Sequence, residues 1–166
     1  MRRRLAAALG SAIFFAIAPV GVAGLVPWLL TGWRSNPQST TLRVLGFLLI
    51  LASVPVLVMA FARFVTEGIG TPAPVAPTQH LVVGGLYRYV RNPMYLSVVC
   101  AIVGQALILG QLSLIAYAIV AGAAMFAFAT WVEEPSLVER FGAEYETYRR
   151  NVPGWWPRAT PWKGDG

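Results

Sequence analysis

Charge is scarce in this chain. Only 12% of its 166 residues are Asp, Glu, Lys or Arg, about half the share found in a soluble domain, while 57% are hydrophobic. That inventory cannot cover a water-facing surface, which excludes an ordinary soluble enzyme. Acidic residues are the scarcest: 7 against 13 Lys and Arg, for a net charge of +6. A basic balance can serve nucleic acid, but these arginines stand beside long apolar runs. An anionic membrane surface explains them better, and no nucleic-acid partner is expected. Cysteine and histidine each occur once, as Cys100 and His80. A single cysteine excludes an internal disulfide, and Cys100 lies in an apolar segment, where it reads as a small core residue. A single histidine without cysteine or acid at ligand spacing cannot build a metal site. Also missing are a Ser-His-Asp constellation, a P-loop and a glycine-rich nucleotide fingerprint.

What the chain does contain is uncharged length. Residues 5–30 follow Arg2, Arg3 and Arg4 and carry no charge, enough to cross a hydrocarbon core of roughly 30 Å at about 1.5 Å per residue. The run continues past Ala23 through Val26, Trp28 and Leu30, so it reads as an uncleaved helix rather than a signal peptide. Pro19 and Pro27 are placed to kink it or end it early. Residues 31–41 carry turn chemistry, and 42–64 form a second span with Arg43 and Arg63 near its ends, where they can snorkel. Residues 66–77 are rich in Gly and Pro and read as a surface linker. From 93 to 132 no residue is charged. That length suits two crossings of about 20 residues each, with Gly110-Gln111 as the turn of a hairpin formed by 94–109 and 112–131. Small residues such as Gly104, Ala106, Ala118 and Gly122 permit close packing of its helices.

Beyond Val132 the character changes, and 6 of the 7 acids follow. Residues 135–150 place Leu137, Val138, Phe141, Tyr145 and Tyr148 at helical spacing, as an amphipathic helix on the membrane surface would. Residues 152–162 read as an irregular Pro- and Trp-rich tail anchored at the interface. The expected fold is all-α: a polytopic membrane protein of about four transmembrane helices plus a cytosolic C-terminal amphipathic helix. It is one folded unit, with two spans in 1–65 and the polar motif, the hairpin and the C-terminal helix in 66–166. Four spans put both termini and the 64–93 segment on one side, with every Lys and Arg except Arg34 and Arg43. The positive-inside rule makes that side cytoplasmic. Ala-, Gly- and Arg-rich usage points to a bacterial inner membrane.

Two polar clusters flank the uncharged hairpin: Tyr87-Arg88-Tyr89-Val90-Arg91-Asn92-Pro93-Met94-Tyr95, and Glu133-Glu134. A hairpin returns the chain to the face it left, so the clusters end on the same side. Adjacent carboxylates at a membrane boundary need a cation or water. One reading pairs them with Arg91 or Arg88. The other has them hold a cationic ligand group, an ammonium or sulfonium, beside the faces of Tyr87, Tyr89 and Tyr95. Those tyrosines also suit an interfacial aromatic belt. His80 reads as a surface residue or as a hydrogen-bond donor to a bound ligand.

The run Leu81-Val82-x-x-Gly85-x-Tyr87-x-x-x-Arg91-x-Pro93-x-Tyr95, then an uncharged hairpin, then Glu133-Glu134, resembles the isoprenylcysteine carboxyl methyltransferase family and its phospholipid methyltransferase relatives. Leu137, Phe141-Gly142, Tyr145, Tyr148, Val152-Pro153 and Pro157 are similar to that family's C-terminal stretch, so the resemblance covers about half the chain. It implies an integral membrane methyltransferase that uses S-adenosyl-L-methionine and acts on a lipophilic or prenylated acceptor among membrane lipids. Carried over by position, Tyr87, Arg91, Asn92, Pro93, Tyr95, Glu133 and Glu134 would line the cofactor pocket, with His80 and Leu81 near the cofactor-contacting segment. Arg91 and Glu134 would carry the closest roles: Arg91 on a cofactor carboxylate or a Glu partner, a glutamate on the ammonium or ribose hydroxyls. Asn92 stands where the family's motif usually has histidine. It keeps a donor and an acceptor but cannot be a cation or a proton shuttle. The resemblance favours isoprenylcysteine-type carboxyl O-methylation, with phospholipid N-methylation and thiol S-methylation beside it. A carboxylate or thiolate needs no strong base, whereas an amine must be neutral to react. A nicotinamide-dependent membrane reductase and a non-enzymatic membrane protein are the alternatives of another class.

Overall fold

A computed structural model describes residues 18–63, 66–67 and 78–164, and every regular element among them is helical. Arg2, Arg3, Arg4, the first part of the 5–30 span and most of the 66–77 linker lie outside the described residues.

The described part of the first span is α1, Ala18–Thr31. Its first turns widen into a π-turn at Gly21–Leu25, just ahead of Pro27. Pro27 has no N–H for the carbonyl of Ala23, and the π-turn sends the N–H of Val26 to Gly21 instead of Val22. Both freed carbonyls find side-chain donors on the hairpin. Gln105 Nε2 donates to Ala23 O at 2.6 Å, and Tyr117 Oη donates to Val22 O at 2.9 Å. Pro27 therefore docks α1 rather than ending it. Gly32, at φ 56, stops the helix.

Helix α2 spans Thr40–Arg63 and α3 spans Pro93–Leu109, which starts on a proline whose missing N–H costs nothing there. Gly110 closes α3 at φ 65, and α4, Leu112–Phe128, begins after Gln111, so the turn falls where the sequence places it. The α1–α2 loop is tied to this turn: Asn36 donates to Leu109 O and Gly110 O, and Gln111 Nε2 donates to Arg34 O at 2.8 Å.

Two expectations need correction. The second hairpin helix does not end at Trp131. It passes through a second π-turn, Ala129–Glu133, into α5, Glu134–Phe141, as one continuous helix Leu112–Phe141. Once more a π-turn precedes a proline, Pro135, which can give no N–H to Trp131. Nor is 135–150 a single amphipathic helix. Gly142, at φ 53 and ψ −124, breaks it into α5 and α6, Ala143–Asn151; only glycine takes that conformation without strain.

Two of these helices, α2 and the continuous Leu112–Phe141, are long and apolar enough to cross a membrane; Ala18–Thr31 and Pro93–Leu109 are apolar but shorter. The outer faces of the long pair are apolar, with Leu51 70% and Ile119 67% exposed, as a lipid environment favours. α2 and α3 meet at Gly46 and Gly104, where each glycine faces the other's carbonyl and a Cβ on either would lie within 3 Å of it. One core, built on Phe61, Ile102, Leu114 and Ala118, sits among the apolar helices. A second, built on Val82, Tyr87, Tyr145, Tyr148 and Val152, caps the end where the polar clusters lie.

Candidate functional site

Gly85, at φ 57, turns the chain into a short 3-10 helix, Gly85–Arg88, which buries Tyr87. The backbone groups that this turn leaves over pair with the C-terminal tail. Arg91 N–H donates to Pro153 O (2.9 Å), Asn92 N–H to Gly154 O (3.2 Å), and the N–H groups of Arg158 and Trp162 donate to Tyr89 O and Arg88 O. The tail expected at the membrane interface is thus packed along the polar motif, satisfying backbone groups that would otherwise be orphaned. Asn92 adds its side chain, with Nδ2 on Gly154 O at 3.2 Å. That bond uses the donor that asparagine retains. Arg88 is also taken by the tail, its Nε donating to Trp162 O.

The hairpin brings the two clusters together. Arg91 Nη1 donates to Glu134 Oε1 at 2.7 Å and to Tyr145 Oη at 2.8 Å, while its Nε donates to Val152 O at 3.0 Å. The pair is largely buried, with side chains 14% and 17% exposed. The second oxygen of Glu134 faces Arg149 Nη1 at 3.6 Å. Glu133 is treated differently. Its Oε1 accepts from Tyr95 Oη at 2.7 Å, and among the described residues no cation lies within ion-pair distance of it. Tyr148 donates to Tyr87 O at 2.7 Å. Burial pushes the phenols of Tyr87 and Tyr148 far above their ordinary range, so both stay protonated. Burial also raises Tyr145, against the pull of Arg91.

A cavity of about 250 Å³ lies between these groups. Leu81, Tyr87, Arg91, Asn92, Pro93, Tyr95, Glu133 and Glu134 all line it. His80, the remaining residue singled out by sequence, is exposed and does not. Tyr89 does not line it either. Sequence reasoning missed Arg140, Tyr145 and Tyr148, which also line it. In the sequence the two tyrosines form part of an apolar stripe, and their three-residue spacing is visible there, but the direction of their face is not. Arg140 donates to Thr78 O and lies 5.0 Å from the centre of the Phe141 ring. Among the described residues it meets no carboxylate at ion-pair distance.

A second cavity, of about 160 Å³, adjoins the first and shares Met94, Tyr95, Phe128 and Glu133 with it. Beyond them its walls are apolar, from Val22 of α1, Phe61 of α2, Val98 of α3 and Met125 of α4. Among the described residues, the arrangement offers two carboxylates, an arginine without an acidic partner and aromatic surfaces in a chamber beside a greasy one. That combination can receive a zwitterionic small molecule next to a lipophilic one.

No curated protein and no solved structure matches the chain. A family model, described as phospholipid methyltransferase, matches residues 70–144. The match encloses both polar clusters and the hairpin between them, and stops one residue short of Tyr145. Over that stretch, which is under half of the chain, the protein is similar to the phospholipid methyltransferase family, a family of membrane methyltransferases.

Proposed function

We propose that this protein transfers a methyl group from S-adenosyl-L-methionine to a lipophilic acceptor at the membrane. The observation that carries this reading is the single cavity in which Glu134, Glu133, Arg140 and the tyrosine wall meet, adjoining a chamber lined by apolar side chains. The chemistry of the donor set fits the cofactor. Glu134 suits an ammonium or ribose hydroxyls, Arg140 suits a carboxylate, and Leu81, Val82 and Leu137 offer an apolar wall to a base. Arg91 positions Glu134 and ties it to Tyr145 and the tail. The cofactor, when bound, supplies a methyl group on a positively charged sulfur. The protein's part is to hold donor and acceptor in line and keep water out.

The family resemblance allows three acceptor classes: a lipid-linked carboxylate as in isoprenylcysteine, a phospholipid amine and a lipophilic thiol. In this reading α1, α2, α3 and the Leu112–Phe141 helix are four crossings, and both termini and the site lie on the cytoplasmic side, as the arginine distribution favours. Titration calorimetry of the detergent-purified protein with S-adenosylmethionine tests it. Saturable one-to-one binding is expected, weakened about tenfold or more in Glu134→Gln, which keeps an acceptor for Arg91 but loses the charge. No binding to the wild-type protein overturns the reading.

A further inference from the structure

One wall of the apolar chamber comes from α1, well outside residues 70–144. Ala18, Pro19 and Val22 line the chamber, and their spacing of one and four residues puts them on one side of a helix. None of the three lines the polar cavity. α1 is held in place by two side chains that line neither cavity. Gln105 of α3 donates to Ala23 O, and Tyr117 of α4 donates to Val22 O. The π-turn and Pro27 are what free those two carbonyls. Val22 is therefore a chamber residue whose own backbone carbonyl is pinned to α4. Apolar packing alone leaves a helix in lipid free to slide or turn against its neighbours. A carbonyl bonded in apolar surroundings resists losing its partner, so the two pins fix the register of this wall.

Resting on the methyltransferase reading, we infer that α1 gauges the width of the acceptor. Val22 sets how bulky a hydrocarbon fits next to the reacting head, and Gln105 and Tyr117 are positioning residues that hold Val22 in register. The occupant of the chamber is the hydrocarbon part of the acceptor. Two features assign it. The chamber shares Met94, Tyr95, Phe128 and Glu133 with the polar cavity, so a chain lying in it brings its head to the cavity that the reading gives to the methyl donor. Beyond those shared residues, every side chain that lines the chamber is apolar, so what it stabilises is hydrocarbon surface. The discrimination such a wall gives is steric. One methylene more or less in an apolar pocket changes selectivity by roughly tenfold or more.

The test uses the full-length protein in detergent, with radiolabelled S-adenosylmethionine and pairs of isomeric acceptors. Each pair carries one head, an amine, a thiol or a carboxylic acid, on a straight dodecyl chain or on its branched isomer, 2-butyloctyl. The readout is the ratio of kcat/KM, branched over straight, for the head that the wild-type protein methylates. Val22→Ala widens the chamber and is expected to raise the ratio about tenfold, and Val22→Phe to lower it about tenfold. Tyr117→Phe removes one pin and lets the wall give way, raising the ratio about threefold, the weight of one neutral hydrogen bond. Calorimetric affinity for S-adenosylmethionine stays at the wild-type value in all three, since neither residue lines the polar cavity. A variant that merely folds less well loses rate with both isomers and leaves the ratio alone. A ratio that Val22→Ala and Val22→Phe leave unmoved, or move in the same direction, overturns the inference and leaves the methyltransferase reading standing. An unmoved ratio in Tyr117→Phe overturns the positioning role. Binding of S-adenosylmethionine with no methylation of any pair by the wild-type protein also overturns the inference. Failure of the wild-type protein to bind S-adenosylmethionine removes both.

Discussion

Arg91 contacts three separate parts of the chain through its side chain: Glu134 at the start of α5, Tyr145 on α6 and the carbonyl of Val152 in the tail. One planar guanidinium can serve all three because its donors point in fixed directions. A lysine ammonium at the same place cannot reach them together. Arg91→Lys is therefore expected to cost about 2 kcal/mol, the scale of losing charged hydrogen bonds in a largely buried site. A circular-dichroism melt in detergent would register this as a lower midpoint; an unchanged one would mean the tail and α6 hold without it. At this scale the sequence was informative about identity and silent about partners. The choice between Arg88 and Arg91 as the acid's partner was open in the sequence and depends on which way each side chain leaves the 3-10 turn. His80 was picked out for its rarity and its neighbours, yet it faces outward.

Among the elements, the hairpin was the most legible. An uncharged stretch of two membrane thicknesses with Gly110 at its middle has few other ways to fold. The breaks at its far end were not legible. The π-turn before Pro135 and the change of direction at Gly142 come from backbone geometry that hydrophobic periodicity does not register. The closest helix approach, Gly46 of α2 against Gly104 of α3, was visible only as a general abundance of small residues. An alanine at Gly46 would set a Cβ 2.6 Å from Gly104 O, and one at Gly104 would lie 2.6 Å from Ile50 Cγ1 and 2.9 Å from Gly46 O. Since a carbonyl cannot rotate aside, α2 and α3 must part. Either substitution is expected to destabilise the protein by about 1–3 kcal/mol. Gly122→Ala meets only Val99 Cγ2 at 3.5 Å and is expected to be tolerated. Thermal unfolding of the three variants in one detergent makes the comparison, and equal losses in all three would refute the packing argument.

For the whole molecule, the arginine distribution predicts the orientation. In a Cys100→Ala background, Ser35→Cys in the α1–α2 loop is expected to react with a membrane-impermeant maleimide on intact cells. Ala159→Cys in the tail is expected to react only after the membrane is opened. The reverse pattern would place the site on the outer face. Apolar length and charge asymmetry are one-dimensional properties, so the chain by itself determined an all-helical membrane protein, its polar clusters and the hairpin that separates them. Tertiary structure alone decided that the tail runs along the motif, that Tyr145 and Tyr148 face the cavity, and that Glu134 pairs with arginines while Glu133 accepts from Tyr95. Those outcomes depend on the direction each side chain leaves its helix, and direction is set by the turns at Gly85, Gly142 and the two prolines rather than by composition.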